Sequence, residues 1–127
     1  MNNVQVKPVM KKKKKIVIWH KPNCSKSIEA MKFLKQNKIE PEVVLYLEDV
    51  PTEVMIIDIL KKLGIAASEL VRKKEPIYKE KFEGKKMTEE KWIKAMVKYP
   101  ILIQRPIVLN GKRAVLGRSK DELNSMV

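Results

Sequence analysis

The chain has 127 residues, of which 44% are hydrophobic and 34% are charged, and this composition is typical of one soluble globular domain with a single core. Its one cysteine and one histidine exclude an intramolecular disulfide and are too few for a dedicated zinc site, so we expect no metal. No window is long and apolar enough for a membrane span or a signal-peptide core, which predicts a cytoplasmic protein with no membrane partner.

Basic residues outnumber acidic ones by 28 to 15, for a net charge of +13, and spread basic charge favours anionic partners in general. Five of the positive charges form the lysine run at 11–15. We predict that residues 1–15 are a basic, disordered leader, the alternative being a tail that binds nucleic acid or an acidic partner. We do not expect nucleic-acid binding, because only the charge favours it. The chain has no aromatic residues interspersed in a basic patch, no zinc-finger spacing and no repeats.

A strand, a helix and a second strand are predicted after the leader. Residues 16–19 form a short apolar run that is typical of a buried strand. Asn23 is a good N-cap for a helix to about Gln36, whose apolar residues recur at helical spacing: Ile28, Met31 and Leu34. The β-branched run at 43–47 completes a βαβ unit, and a right-handed crossover makes its two strands parallel.

A mostly helical segment follows from about 52 to 100. Thr52 can cap the first helix of this segment. Two further helical pieces are predicted around 68–74 and 89–98, and Pro100 ends the last of them because proline cannot continue a helix.

Two antiparallel strands and a short helix are predicted at the end of the chain. The dipeptide Asn110-Gly111 separates strand-like runs at 106–109 and 113–116. It predicts a type I′ hairpin turn, which needs positive φ at both central residues. A capping box with the spacing S-x-x-E begins at Ser119 and predicts the terminal helix.

The order of elements predicts the fold class. It is β-α-β, then the helical segment, then β-β-α, which is the layout of an α/β, thioredoxin-like fold with a mixed sheet. We therefore predict a single thioredoxin-like domain over residues 16–127, with a helical insert at about 52–100.

The single cysteine follows the first predicted strand. With Asn23 as the N-cap, Cys24 occupies the first helical position, where free N–H groups and the helix dipole stabilise a thiolate. His20, Lys21 and Lys26 would lower the thiol pKa further if they point at the sulfur. The alternative is a small buried hydrophobic residue, but the polar, turn-forming neighbours favour a reactive thiol. His20 is either a base or a capping or exposed residue.

Four stretches of the sequence resemble a known family: "HKPNCSKS", "LVRKKEPIYKE", "YPILIQRPIVLNGK" and "LGRSKDEL". Together, in this order and at this approximate spacing, they resemble the glutaredoxin-dependent arsenate reductases, in particular the short, uncharacterised-type members. The resemblance runs from about Ile16 to the C-terminus. It implies an oxidoreductase with a thioredoxin-like fold and a redox-active cysteine that reduces arsenate.

The resemblance also implies roles for individual residues. Cys24 matches the catalytic cysteine, which attacks arsenic, and the oxyanion is held by three arginines: Arg72, Arg105 and Arg118. His20 matches the histidine before the cysteine loop, and Ser27 matches a serine of the first helical turn that can donate to the thiolate. Forked guanidiniums suit a tetrahedral dianion because they present several donors and stay charged. For each arginine the alternative is a surface ion pair.

The implied chemistry needs external thiols. In the family, glutathione and glutaredoxin resolve the adduct to arsenite, and no cofactor is bound. A chain with one cysteine cannot resolve a thiol adduct by itself, which makes glutaredoxin an expected partner. The family also implies a cis proline at Pro106 that brings the backbone of Arg105 next to Cys24.

Two other functions stay open at this point. Spx-type regulators, which share the fold, bind the α subunit of RNA polymerase and use a C-x-x-C redox switch. That switch is missing here, because Ser27 stands at the second cysteine position. A thiol transferase acting on glutathione mixed disulfides would use Cys24 and would need no arsenate site.

Overall fold

The computed structural model describes residues 16–127, and the predicted leader at 1–15 lies outside them. The described elements follow in chain order: β1 Ile16–Trp19, α1 Ser25–Gln36, β2 Glu42–Val44, α2 Glu53–Leu63, α3 Ala67–Leu70, α4 Pro76–Lys81, α5 Glu89–Lys98, a short 3-10 helix Pro100–Leu102, β3 Ile107–Asn110, β4 Arg113–Leu116 and α6 Lys120–Asn124.

The strands form a four-stranded sheet in the order β2-β1-β3-β4. β1 pairs in parallel with β2, and β3 pairs antiparallel with both β1 and β4. The parallel pair comes from the βαβ unit and the antiparallel pair from the hairpin, as the sequence predicts. The mixed sheet confirms the predicted α/β class.

Helices cover both faces of this sheet. On one face, Trp19 and Ile107 pack with buried residues of α2, α3 and α5. On the other face, Ile18 and Val108 pack with Leu34 of α1 and with Leu123 of α6. Neighbouring strand residues point to opposite faces, and β1, β3 and β4 contribute to both layers of core.

The sheet also brings two distant loops together. β3 runs antiparallel beside β1, with Trp19 opposite Ile107. The carboxyl end of β1 therefore meets the amino end of β3, and the loops at these ends lie at one edge of the sheet. One loop carries Cys24, and the other carries Arg105, whose peptide bond to Pro106 is cis as predicted.

The predicted second strand is longer than the observed one. The run at 43–47 predicted a strand, but β2 ends at Val44. Residues 45–49 form a turn closed by backbone hydrogen bonds of 2.9 and 2.8 Å. The turn buries Tyr46 completely. Within the run Tyr46 is fully buried, whereas Val43 is 40% exposed, so the apolar run marks a buried turn residue and not a buried strand.

The helical segment begins as predicted and then differs. The Thr52 hydroxyl caps α2 by accepting from the N–H of Met55 at 3.2 Å. One helical piece was predicted at 68–74, but α3 ends at Leu70 because Val71 pairs with Ile103 as an isolated antiparallel bridge. This long-range pairing competes with continued helix and ends it.

The hairpin is present, but its predicted turn type is wrong. Asn110 pairs with Arg113, so the two-residue loop is Gly111-Lys112. Gly111 has φ +63°, and Asn110 and Lys112 do not have positive φ. Glycine at the first central position is the pattern of a type II′ turn, which also matches strand twist.

The described residues meet the requirements of neither a membrane-spanning helix nor a metal site. Across residues 16–127, helices are too short or too polar to cross a membrane. Over the same span, no group of three or more His, Cys, Asp or Glu side chains is arranged to hold a metal ion.

Candidate functional site

Cys24 lies in the loop between β1 and α1, one position earlier than predicted. It is itself the N-cap of α1, with extended φ and ψ of −104° and 124°, so the prediction of Asn23 as N-cap is wrong. The Asn23 side chain contacts Lys21 Nζ instead, and the Cys24 N–H donates to the Lys21 carbonyl at 3.0 Å. An N-cap side chain stands over the free N–H groups of the first helical turn.

These N–H groups and one arginine act on the Cys24 sulfur. Burial raises the pKa of the thiol, but the backbone N–H groups of Ser27 and Lys26 and the guanidinium of Arg105 lower it. Their combined effect outweighs burial, so the pKa of Cys24 falls below its ordinary value of 9.0. A conventional side-chain cap of α1 is not formed, which leaves these N–H groups available to a thiolate. The site therefore favours the nucleophilic form of the cysteine.

The charge that lowers the Cys24 pKa differs from the one that the sequence suggested. His20, Lys21 and Lys26 were expected to act through their side chains. Burial lowers the pKa of His20, so its imidazole is neutral near pH 7 and adds no positive charge. Arg105, distant in sequence, supplies the positive charge to the sulfur.

His20 and Ser27 both lie in the same loop region. The His20 N–H donates to the Val44 carbonyl at 2.9 Å, and within residues 16–127 its buried Nδ1 has no hydrogen-bond partner. Ser27 is fully buried, and its hydroxyl oxygen accepts from the Lys21 N–H at 3.1 Å. This bond ties the loop to the first turn of α1. The group of Ser27 that lowers the pKa of Cys24 is its backbone N–H.

Arg105 is buried behind the cysteine, with a relative exposure of 5%. Its Nη1 donates to the Ile101 carbonyl at 2.9 Å, and its Nη2 donates to Glu75 Oε2 at 3.4 Å. Its buried Nε lacks a partner among the described residues. This buried guanidinium places a positive charge beside the thiol, where it favours the thiolate.

Arg72 reaches the same region from the helical segment. Its Nε donates to Glu75 Oε2 at 3.1 Å, and its backbone N–H donates to the Leu102 carbonyl at 2.6 Å. The antiparallel bridge between Val71 and Ile103 positions Arg72, because it places the segment that contains Arg72 beside the segment that leads to Arg105.

Arg118 lies at the outer side of the group. Its Nη1 donates to Gln104 Oε1 at 3.2 Å, and it is exposed. An open cavity of about 320 Å³ has Arg72, Gln104 and Arg118 in its wall. The structure thus connects the predicted residues in a series: Arg105 lowers the pKa of Cys24, Glu75 joins Arg105 to Arg72, and Arg72 shares with Arg118 a cavity whose wall does not include Cys24 or Arg105.

Two further residues of this region escaped the sequence reasoning. Tyr46 is fully buried, stacks on Trp19 with ring centroids 6.2 Å apart, and interacts with Arg105. Burial raises the pKa of Tyr46 to about 12, so it keeps its proton. Glu75 is the second. It follows Arg72 by three residues, a spacing that signals a local ion pair, whereas no local signal marks Tyr46.

The lowered pKa of Cys24 has a testable consequence for its pH-dependent reactivity. Only the thiolate reacts with iodoacetamide, so the folded protein should remain reactive as the pH falls below the point where an ordinary thiol is protonated. The measurement is the alkylation rate against pH, compared with a peptide of sequence HKPNCSKS, which has the same neighbours without Arg105 or the helix. Coincident midpoints would contradict the assigned cause.

The comparisons with known proteins agree with this architecture. Protein YfgD of Escherichia coli (strain K12), described as uncharacterized, is 44% identical over 90% of this chain and 98% of its own. An arsenate reductase of Neisseria meningitidis is 34% identical, covering 88% of this chain and 97% of that protein. Both alignments extend over nearly the full length of the relative.

The solved structures point the same way. An arsenate reductase from Vibrio cholerae matches with a TM-score of 0.85 and 33% identity, over 90% of this chain and 98% of that one. These likenesses confirm the thioredoxin-like fold and the resemblance to arsenate reductases that the sequence indicated. Residues 19–126, which include the cysteine loop and all three arginines, match the ArsC family, and the chain belongs to that family.

Proposed function

We propose that this protein is a glutathione- and glutaredoxin-dependent arsenate reductase in which Cys24 is the nucleophile. The observation that carries the proposal is that the buried Arg105 guanidinium lowers the pKa of the Cys24 thiol and is joined through Glu75 to Arg72. A thiolate approaches an anion only if positive charge neutralises the repulsion. Arg105 favours the thiolate form of Cys24, and its positive charge also attracts the anion.

The binding step uses the three arginines. Arsenate binds beside Arg72 and Arg118 with its arsenic atom within reach of the Cys24 sulfur, and the Arg105 guanidinium lies to the side of the two reacting atoms. Several guanidinium donors can share one tetrahedral dianion, since each remains charged and presents a planar fork.

The chemical steps then balance as a two-electron reduction. The Cys24 thiolate forms a sulfur–arsenic bond, and one arsenate oxygen leaves as water after taking up protons. His20, which burial keeps neutral, acts as a base that takes up the thiol proton of Cys24 and then passes it to this leaving oxygen. Ser27 holds the loop in place through its hydroxyl and donates its backbone N–H to the sulfur.

External thiols complete the cycle. Glutathione thiolate attacks the Cys24 sulfur, the sulfur–arsenic bond breaks, and its electron pair stays on arsenic, which leaves as arsenite. The two thiols become a mixed disulfide, and glutaredoxin reduces this disulfide to free Cys24. No cofactor is bound in this scheme, and we place the reaction in the cytoplasm, where thiols are kept reduced.

The test is arsenate-dependent oxidation of NADPH by the full chain with glutathione, glutaredoxin and glutathione reductase. Turnover should require arsenate and should fall to background when glutaredoxin is omitted, because Cys24 then stays in the mixed disulfide. No arsenate turnover would contradict the proposal. Reduction of a glutathione mixed disulfide in its place would establish a thiol transferase, and RNA polymerase binding without either activity would establish an Spx-type regulator.

A further inference from the structure

Glu75 contributes a negative charge among the arginines of the proposed oxyanion site. A single oxygen, Oε2, accepts from Arg72 Nε at 3.1 Å and from Arg105 Nη2 at 3.4 Å. The side chain is 16% exposed. Glu75 is also the N-cap of α4, with Pro76 at the first helical position. The Glu75 side chain does not cap α4, so its carboxylate is held between the two guanidiniums by the two ion pairs.

These ion pairs leave arginine donors free for a ligand. The described contacts of Glu75 use the Nε of Arg72, whose terminal amino groups do not contact it. Arg105 uses both terminal amino groups, and its Nε is sealed from solvent, so the donors open to an entering anion are the terminal amino groups of Arg72, which lines the cavity. An anion that binds to these remaining donors lies next to the Glu75 carboxylate.

The chemistry of that neighbour discriminates between anions. An ionised carboxylate accepts hydrogen bonds and cannot donate them. An oxyanion that retains a hydroxyl can donate its proton to Glu75, whereas an oxyanion without a proton places two acceptors and two negative charges in contact. Unpaired acceptors and like charges at close range are effective means of rejecting a ligand.

We propose that Glu75 is a specificity-determining residue that makes the site prefer oxyanions retaining a proton, such as arsenate and phosphate, to fully deprotonated ones such as sulfate. This inference rests on the proposed function, because it presupposes that the arginines bind an oxyanion. It assigns to the carboxylate a contact with the ligand hydroxyl, in addition to its contacts with the two arginines.

The experiment compares inorganic phosphate with sulfate as protectors of Cys24 against iodoacetamide. In mildly alkaline buffer both are dianions, and they differ in the one proton that phosphate keeps. We expect half-protection of the parent protein at about tenfold lower phosphate than sulfate concentration, the size of one lost charged hydrogen bond. In Glu75→Gln the ratio should fall to about two or less, because an amide can both donate and accept.

Glu80→Gln is the matched control, since Glu80 is an exposed glutamate of the same helix α4. This variant should keep the preference of the parent. A circular-dichroism melt verifies that each variant is folded before protection is measured.

Some outcomes would contradict the inference alone, and another would contradict the proposed function as well. Equal protection of the parent by phosphate and sulfate, or an unchanged ratio in folded Glu75→Gln, would overturn the inference and leave the arginine site standing. Protection of the parent by neither anion would overturn the oxyanion site, and with it both the proposed function and the inference. The parent comparison needs no variant, so the inference is testable even if Glu75→Gln does not fold.

Discussion

Replacing Cys24 by serine is expected to lower arsenate-dependent turnover by about 1000-fold or more, because removing a nucleophile removes the covalent pathway itself. Cys24 is the only cysteine of the chain, so no second thiol can replace it. A serine hydroxyl at the same N-cap position stays protonated near neutral pH and does not form a sulfur–arsenic bond. The measurement is turnover in the coupled assay, together with the intact mass of the protein after exposure to arsenate and glutathione.

A second variant tests the position of the thiol. In Cys24→Ser combined with Ser25→Cys, the sulfur moves one residue, to the exposed first position of α1. Adjacent residues of a helix do not face the same direction, so the new thiol points away from Arg105 and should not restore turnover. Recovery of turnover in this double variant, or its retention in Cys24→Ser, would refute the assigned role of Cys24.

Replacing Arg105 by alanine is expected to lower arsenate turnover by about 100-fold or more, the usual effect of removing one donor to a developing oxyanion. The pKa of Cys24 should rise at the same time, because the guanidinium lowers it through both a hydrogen bond and its charge. Arg105→Lys should recover the charge effect on the thiol but only part of the turnover, since an ammonium lacks the planar fork. Turnover and the pH midpoint of alkylation measure the two effects separately.

The control for this prediction is Arg113→Ala, which removes an exposed arginine at the start of β4 and should leave both quantities unchanged. Arg105 also donates to the Ile101 carbonyl at 2.9 Å, so its loss leaves a backbone acceptor unpaired and lowers stability. Thermal unfolding of Arg105→Ala identifies the temperature below which the variant is folded and turnover is compared. Parent-like turnover and an unchanged alkylation midpoint would contradict the role of Arg105.

Local signals in the sequence identified the elements well. The βαβ unit, the hairpin and the capped helix α2 follow from apolar runs, turn residues and caps, which act over three or four residues. The prediction of a reactive Cys24 used the same kind of signal, a helix N-terminus after a strand. The errors lie at turns and at the ends of elements. The N-cap of α1 and the hairpin turn are each displaced by one residue, where neighbouring residues compete for the same role. The strand predicted at 43–47 and the helix predicted at 68–74 end early, at Val44 and Leu70.

The arrangement of the candidate site depends on contacts between distant parts of the chain. Arg72 and Arg105 are 33 residues apart, and the bridge between Val71 and Ile103 lays their chain segments side by side. No periodicity or capping signal in the sequence encodes that pairing. The resemblance to the family identified the three arginines, but it did not indicate that Glu75 lies between Arg72 and Arg105.

The sequence by itself therefore determined the strands, the helices, the α/β class and the position of one thiol at a helix start, since each depends on neighbours along the chain. Only the tertiary structure decided which charge acts on that thiol. His20 and the nearby lysines were the sequence candidates, but Arg105 is the charge that reaches the sulfur. The pairing of β1 with β3 brings it there, and such long-range pairing depends on how the whole core packs.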